Sequence, residues 1–412
     1  MHLPTLRPLF RWGEPFWIVL LGAILTLPGR FVPLAWHPYV LAALFLFWPL
    51  RWWLQGAGTR ATPLNWSIYF ILLWLPVNLW ASADRATSWQ AAGYLLFGIG
   101  LFFACINWPA TQTDPQYIVW GLLLFSSVLA IFAPFLVVLK PFRLFHLPLY
   151  DYIQSLTLNI GETIHLNVLA GALVLILPLW AALALQPKWT ERRWPRWVSA
   201  IGALLLLTVI AMTQSRGGYL AVAASMMMVL VLRWPRLLWT IPVILLAIAV
   251  TIWWMGPQPF LELFSSDGSL GGWDGRVEIW TQSLNALYDF VFTGLGIGTF
   301  TLVIPLLYPL RVNIEGYPHA HNLLLQIGLD LGLPGLIAYI SILLNLGVML
   351  CMSWRRAASA LDRALTVGAI GSLVAMLVHG TLDAVTWGTK FAFLPWVLFA
   401  FVTNHYLKFR RA

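Results

Sequence analysis

Charge is scarce in this sequence. Only 9% of its 412 residues are Asp, Glu, Lys or Arg, whereas 60% are hydrophobic. Soluble domains carry about 25% charged residues, so this chain lacks the polar surface that a soluble fold needs. Its apolar runs, such as 204–210 and 226–232, are continuous and do not alternate as the strands of a membrane barrel would. The composition therefore predicts an all-α polytopic membrane protein.

Cysteine and the common cofactor motifs are also nearly missing. The two cysteines, Cys105 and Cys351, each lie near the end of an apolar segment. Two such thiols give neither a disulfide framework nor a cysteine-based metal set. No phosphate-binding Walker loop and no dinucleotide fingerprint occurs in the sequence. We therefore expect no cofactor.

Acidic residues are outnumbered by basic ones, which gives a formal net charge of +9. Binding to nucleic acid would call for a basic patch interleaved with exposed aromatics on a polar domain, and the sequence has none. An excess of Lys and Arg in cytoplasmic loops explains the charge instead. With both termini inside, the inner segments hold roughly twice as many Lys and Arg as the outer ones. The sequence predicts both termini in the cytoplasm and the membrane as a partner.

The apolar runs predict about twelve transmembrane helices, which divide the chain into three parts. Residues 1–255 hold helices 1–9, residues 256–333 form a long outer loop subdomain with short helices, and residues 334–412 hold helices 10–12 and a tail. The predicted helices span about 14–28, 32–53, 64–81, 88–106, 116–139, 163–185, 197–213, 217–232, 237–255, 334–353, 363–384 and 390–407.

Two arginines on the predicted outer side are candidate binding residues. Arg216 stands between two helices and is followed by two glycines, which would let a ligand approach the backbone. It either reaches lipid head groups or clamps an anion, because a guanidinium matches phosphate oxygens bidentately. Arg276 lies in the first turn of an amphipathic helix and either pairs with Asp274 or Glu278 or adds to an anion site. Other cations that line the same cavity or touch lipid phosphates are Arg85, Arg143 and Lys390.

Two histidines end the long outer loop and allow three interpretations. His319 and His321 could ligate a metal, with His379 and Asp383 joining them in space. They could also make structural hydrogen bonds. Alternatively, nearby arginines and a helix start could keep His321 neutral, so that it accepts a proton from a hydroxyl. Asn322 would then cap the helix start or orient a sugar. Because no third ligand is obvious and no Asp-x-Asp pair occurs in the loop, we predict no metal.

An ordered set of motifs resembles the bacterial O-antigen ligase and O-antigen polymerase superfamily, closest to the ligases. The match covers about residues 160–340. It comprises His165-Leu166-Asn167-Val168-Leu169-Ala170-Gly171, Ser215-Arg216-Gly217-Gly218, Gly275-Arg276 with Trp280, Gly294-Leu295-Gly296-Ile297-Gly298, His319-Ala320-His321-Asn322 with Gln326, and Gly332-Leu333-Pro334-Gly335.

The resemblance implies a twelve-helix, metal-independent glycosyltransferase of the C-type membrane architecture in the bacterial inner membrane. The donor would be an undecaprenyl-diphosphate-linked glycan, used at the periplasmic face, and the acceptor a lipid or glycolipid such as lipid A–core. Arg216 and Arg276 would bind the diphosphate, and His321 would activate the acceptor hydroxyl with inversion at the sugar. Arg85 and Arg143 would be additional binding residues, and His319 and Asn322 would assist.

Two rivals to ligation stay open at this point. A polymerase would use a second lipid-linked repeat as the acceptor. A transporter of the same lipids would also need cations in a membrane cavity, but inverted halves should then show paired broken helices. The sequence has one long outer loop and no counterpart to it in the first half.

Overall fold

A computed structural model describes residues 6–27, 31–137, 163–186, 194–258, 273–310 and 319–411. Within these ranges the chain forms fifteen α-helices and no β-strand, which confirms the all-α prediction. The helices are α1 (Leu6–Thr26), α2 (His37–Gln55), α3 (Asn65–Ala81), α4 (Arg85–Asn107), α5 (Pro109–Thr113), α6 (Gln116–Leu136), α7 (Leu166–Ala184), α8 (Trp194–Thr213), α9 (Arg216–Arg233), α10 (Thr240–Met255), α11 (Trp273–Asp289), α12 (Phe300–Leu307), α13 (Leu323–Arg356), α14 (Ala360–Gly380) and α15 (Phe393–Arg411).

Many of these helices suit a membrane. In the described part of the chain, eight are long and apolar enough to cross one, namely α4, α6, α7, α8, α9, α10 (with the short 3-10 helix before it), α13 and α14. The other predicted spans coincide with α1, α2, α3 and α15. The protein is therefore a polytopic membrane protein, as its composition predicts.

Small residues allow the central helices to approach one another. The largely buried helix α7 packs against α6, α8, α9 and α14. A Cβ added at Gly371 of α14 would lie 2.7 Å from the Pro178 side chain of α7, and one at Gly368 would lie 2.9 Å from Leu179 Cα. In lipid, where tails are as apolar as leucine, helix association depends on such close packing. These glycines therefore fix the distance between α7 and α14, and the candidate site lies at one end of this helix pair.

Helix α13 consists of two helical segments joined across a kink at Gly332, where the backbone is not helical. The second segment begins near the predicted start at residue 334, whereas the first segment, from Leu323, was not predicted. Gly332 has a φ of 70°, which is a left-handed conformation that glycine adopts without strain. The chain therefore bends at Gly332 and continues as a helix, and the histidine segment leads directly into a membrane helix.

A small apolar cluster covers the first part of α13. Helix α11, the glycine-rich turn 294–298 and helix α12 pack there around Ile279, Leu295 and Phe300. The turn is held by backbone hydrogen bonds: Leu295 N donates to Leu329 O at 2.7 Å, and Leu333 N donates to Val291 O at 2.7 Å. This cap fixes α11, which carries Arg276, against the histidine segment.

Candidate active site

The histidine segment 319–322 is held at both sides. Asn322 caps α13, since its Oδ1 accepts the Leu325 N–H at 3.0 Å, and its Nδ2 donates to Thr381 O at 3.4 Å after the end of α14. On the other side, Trp280 Nε1 of α11 donates to Ala320 O at 3.0 Å. The structure thus gives Asn322 the role of a helix cap that joins two helices.

Backbone strain marks both sequence motifs. Among the described residues, only His321 (φ 49°) and Gln214 (φ 53°) are non-glycine residues with positive φ. His321 precedes α13 and Gln214 precedes α9, and each helix begins at a candidate site motif. Left-handed conformations of non-glycine residues cost about 1–3 kcal/mol and concentrate at functional sites. The positive φ of His321 therefore marks it as a candidate functional residue, independently of the sequence motifs.

His319, His321 and Asp383 form one buried cluster. Asp383 Oδ1 lies 3.0 Å from His319 Nε2 and 3.7 Å from His321 Nδ1. The two imidazole centroids are 4.5 Å apart with the rings nearly perpendicular. Asp383 follows α14, and its backbone N–H still donates to His379 O at 3.0 Å. The sequence analysis placed His379 and Asp383 near these histidines, and the folded chain brings the Asp383 carboxylate to the histidine segment.

The charge states in this cluster follow from burial and neighbours. Burial, followed by the proximity of His319, lowers the pKa of His321 to about 3; Arg276 and His165 act in the same direction, and Asp383 opposes them. Burial also opposes ionisation of Asp383, but the hydrogen bond from His319 and the surrounding histidines hold the pKa of that carboxyl well below its usual range. The contact between His321 and Asp383 is therefore a neutral imidazole beside a carboxylate and not an ion pair.

A proton on His319 argues against a metal at this cluster. The ligand atoms of His319, His321 and Asp383 lie within 4.8 Å of one another, so their positions alone suit a metal ion. However, His319 Nδ1 accepts the His321 N–H at 3.2 Å. A neutral imidazole that accepts at Nδ1 carries its proton on Nε2, which therefore donates to Asp383. Ligation through Nε2 would break this arrangement, and the cluster fits a hydrogen-bonded pair better than a metal set.

The two candidate arginines lie on elements that meet the cluster. Arg276 is half-buried in the first turn of α11 and lies close enough to His321 to lower its pKa. Arg216 is the exposed first residue of α9, where Ser215 Oγ caps the helix by accepting the Gly218 N–H at 3.2 Å. A Cβ added at Gly217 would lie 3.8 Å from His379 Nε2. The start of α9 thus packs on the end of α14, next to Asp383.

The remaining candidates are less closely associated. Arg85 is exposed at the start of α4, and within the described ranges no contact links it to the histidine cluster. Asp84 caps that helix by accepting the Ala86 N–H at 3.0 Å. Arg143 lies outside the described residues.

Sequence reasoning did not single out the network behind the cluster. Gln326 Oε1 accepts the Ala320 N–H at 2.7 Å, and its Nε2 donates to Asp330 at 2.9 Å. Asp330 also accepts from Gly298 N at 3.1 Å and from Trp387 Nε1 at 2.8 Å. The position of Asp330 inside an apolar run could have indicated this network, because acidic residues occur within membranes almost only when they are paired. This network joins the glycine-rich turn to the histidine segment.

Residues 201–340 match the family model described as O-antigen ligase. Over this segment the chain is similar to the O-antigen ligase family. The matched segment contains Arg216, Arg276, His319 and His321, whereas Asp383 lies beyond it. No curated protein matches the chain. The cluster thus unites the histidines of the O-antigen ligase segment with a carboxylate from outside it.

Proposed function

We propose that this protein transfers a glycan from an undecaprenyl-diphosphate-linked donor to an acceptor hydroxyl at the periplasmic face of a bacterial inner membrane. The acceptor in this proposal is lipid A–core, which makes the protein an O-antigen ligase. The observation that supports it most directly is the neutral His321 imidazole beside the Asp383 carboxylate, with Arg276 in electrostatic range. The similarity of residues 201–340 to the O-antigen ligase family supports the same reaction class.

In the proposed step the acceptor oxygen attacks the anomeric carbon of the donor sugar. A new C–O bond forms, the bond to the diphosphate breaks with inversion, and the leaving diphosphate keeps the electron pair. The acceptor proton passes to His321. Arg216 and Arg276 balance the charge that develops on the leaving group, which is the type of stabilisation that contributes most in such reactions.

Donor binding would make His321 a better base. In the free protein Arg276 helps to hold the pKa of His321 low. The negative charge of a diphosphate would offset that arginine and raise the pKa of His321 toward the range where it accepts a proton efficiently. Asp383, 3.7 Å from Nδ1, would stabilise the imidazolium that forms. His321 would therefore become basic only when the donor is in place.

The decisive test replaces His321 with Ala in purified protein supplied with donor and lipid A–core. Loss of a general base should reduce transfer by about 10²–10⁴-fold while the protein level stays constant. The matched control is His37→Asn, which alters a buried histidine on α2 that takes no part in the cluster. Full transfer by His321→Ala would exclude the assigned base.

Two further arms of the same assay separate the alternatives. When donor is supplied without lipid A–core, the glycan should not be elongated. Elongation of the glycan on the lipid carrier would mean that the protein is a polymerase. EDTA should leave the rate unchanged, because the proposed charge stabilisation comes from arginines. Strong inhibition by EDTA, reversed by a divalent ion, would contradict the metal-independent mechanism.

A further inference from the structure

Helix α12, in the outer subdomain, is apolar on both of its faces. Its inner face is buried in the small apolar cluster over α13 and consists of Phe300, Val303 and Ile304. Its outer face exposes three leucines, namely Leu302, Leu306 and Leu307. No charged residue occurs in the sequence from residue 290 to residue 310. A helix whose outer face meets water carries polar residues there, so the outer face of α12 is suited to apolar surroundings.

Helix α11 packs in the same cluster and has a different outer face. Its exposed residues include the polar Asn285 and Asp289 together with the apolar Leu284 and Tyr288. Such a mixture is typical of an amphipathic helix beside water. Two neighbouring helices of one subdomain thus present different surfaces, a mixed one on α11 and an apolar one on α12.

The turn that leads into α12 is anchored at the level where membrane helices end. Ser88 Oγ, in the first turn of α4, donates to Ile297 O at 2.7 Å. Asn78 Nδ2, in the last turn of α3, donates to Thr293 O at 2.8 Å. The 23 residues of α4 extend over about 34 Å, and the hydrocarbon core of a bilayer is about 30 Å thick. Ser88 therefore lies near the boundary between hydrocarbon and head groups, and α12 begins at Phe300 beside it.

The other end of α12 also suits the membrane interface. Tyr308 packs its ring against the apolar cluster, and its hydroxyl donates to Asp289 Oδ2 at 2.5 Å. Tyrosines with an apolar ring contact and a polar hydroxyl contact are enriched at membrane interfaces. The helix has eight residues, about 12 Å, which is too short to cross the membrane. With both ends suited to the interface, α12 would lie along the membrane surface.

The inner face of α12 is coupled to the histidine segment. The cluster that it joins includes Leu329 of α13 and Ala320, which stands between His319 and His321. Trp280 packs against the same cluster and donates its Nε1–H to Ala320 O at 3.0 Å. A change in the position of α12 would therefore be transmitted to the histidine segment.

We propose that α12 docks in the membrane leaflet next to the histidine cluster, with lipid acyl chains covering Leu302, Leu306 and Leu307. In this position α12 holds the histidine segment at the level of the lipid head groups. A stable protein interface uses about 20–30 residues a side, whereas α12 offers one face of an eight-residue helix. Lipid is therefore favoured over a second copy of the chain or another protein. The docking itself is independent of the proposed glycan transfer.

A fluorophore on α12 tests the docking in a protein with unaltered packing. In a background with Cys105→Ala and Cys351→Ala, Leu306→Cys is labelled with bimane, and the protein is placed in nanodiscs that hold one copy each. Lipids with a nitroxide high on the acyl chain should quench this label at least about twofold more than a label at Tyr288→Cys, because interfacial helices reach about 5–10 Å into the boundary region. Iodide in the water should quench the two labels in the opposite order.

Tyr288 is the matched control because its side chain is 84% exposed and that of Leu306 is 73% exposed. Equal quenching of the two labels by iodide, with no quenching by the lipids, would overturn the docking. Protection of the Leu306→Cys label from iodide only in nanodiscs that hold two copies would also overturn it, in favour of contact between two chains.

A charge on the outer face should release α12 from the leaflet. With the bimane on Leu302→Cys, the additional change Leu306→Asp should remove most of the quenching by lipid, because a carboxylate is costly among acyl chains. Leu284→Asp is the matched control, since Leu284 is 57% exposed on the mixed outer face of α11, and lipid quenching should persist in that variant. Undiminished lipid quenching with Leu306→Asp would overturn the role of these leucines.

The coupling of α12 to the histidine segment is tested by glycan transfer in the same nanodiscs. Leu306→Asp should lower transfer about tenfold, and Leu284→Asp should remain within about twofold of the wild type. Release of α12 without loss of transfer would overturn the coupling. If the wild type itself transfers no glycan while lipid quenches the label at residue 306, the proposed function falls and the docking of α12 stands.

Discussion

At the residue scale, the proposed chemistry depends on how His321 is held. Its backbone adopts a positive φ, and its N–H is bonded to the ring of His319. That bond fixes the tautomer of His319, which in turn directs a proton to Asp383. Asp383 is thereby oriented with one oxygen shared between the two histidines. In the proposed reaction the carboxylate would position His321 in the resting protein and stabilise its charge once His321 takes a proton.

The pH profile should reveal the suppressed basicity of His321. Because the pKa of His321 in the free protein is about 3, its ring stays neutral throughout the range from pH 8 down to pH 5. The ratio kcat/KM, which reports groups of the free enzyme, should therefore stay level over this range. An ordinary histidine base would make it fall as pH drops below about 6.5. A decline centred near that value would contradict the environment assigned to His321.

The kcat and KM of the Asp383→Asn variant test the role of the carboxylate. The amide oxygen can still accept a hydrogen bond from His319 but carries no charge to stabilise imidazolium, so kcat should fall about tenfold to a hundredfold with little change in KM. Asp362→Asn is the matched control, because Asp362 lies at the other end of α14 and pairs with Lys408 at 2.8 Å. A rise in KM at unchanged kcat would mean that Asp383 acts in binding alone.

At the element scale, the kink of α13 connects the membrane to the site. Gly332 adopts a φ of 70°, and a Cβ added there would overlap the Phe292 carbonyl oxygen. The same glycine lies beside the Gly294 backbone, so both sides of this contact require the absence of a side chain. The turn 294–298 can therefore pack on α13, and through Asp330 and Gln326 it supports the histidine segment.

Replacing Gly332 with Ala should destabilise the protein by at least about 1–3 kcal/mol, because the left-handed conformation is strained for alanine and the carbonyl must move. Thermal unfolding in detergent measures the change as a lowered Tm. Gly347→Ala on the same helix is the control; its Cβ meets open space, and alanine is the better helix former, so its Tm should stay level or rise slightly. Equal Tm values for the two variants would contradict the importance of the kink.

The sequence was a good guide to helix positions and a poorer guide to where helices connect. Continuous apolar runs predict each membrane helix because the period and length of a span are local properties. The predicted helix start at residue 334 is confirmed by the non-helical backbone at Gly332, but the helical segment from Leu323 to this kink was not predicted, because it depends on packing against Phe292 and Gly294. Such packing between distant segments is not encoded in any one run of residues.

In the candidate site, too, some features could be predicted from the sequence and others depend on tertiary packing. The cap at Asn322 and the basic residues could be predicted from the sequence, since caps and polar residues in apolar chains have local signatures. The sequence placed Asp383 near His319 only as a possible metal ligand, and their hydrogen bond could not be predicted because it depends on α14 ending at Gly380 beside the start of α13. The roles of Arg85 and Arg143 stay predictions.

At the scale of the whole molecule, the proposed reaction requires that the site faces the periplasm. The inner and outer ends of α14 provide a test. Basic residues cluster near its first residue, with Arg355 and Arg356 ending α13, whereas Asp383 lies just beyond its last residue. Basic clusters remain in the cytoplasm during membrane insertion, so the site should lie on the opposite, periplasmic side.

Single cysteines placed on the two sides should report this orientation. Ala358 is exposed between α13 and α14, and Tyr288 is exposed near the end of α11. In a background with Cys105→Ala and Cys351→Ala, an impermeant maleimide added to spheroplasts should label Tyr288→Cys at once. It should label Ala358→Cys only after the membrane is permeabilised. Labelling in the reverse order would place the histidine cluster in the cytoplasm, where it could not use a donor that has already been moved across the membrane.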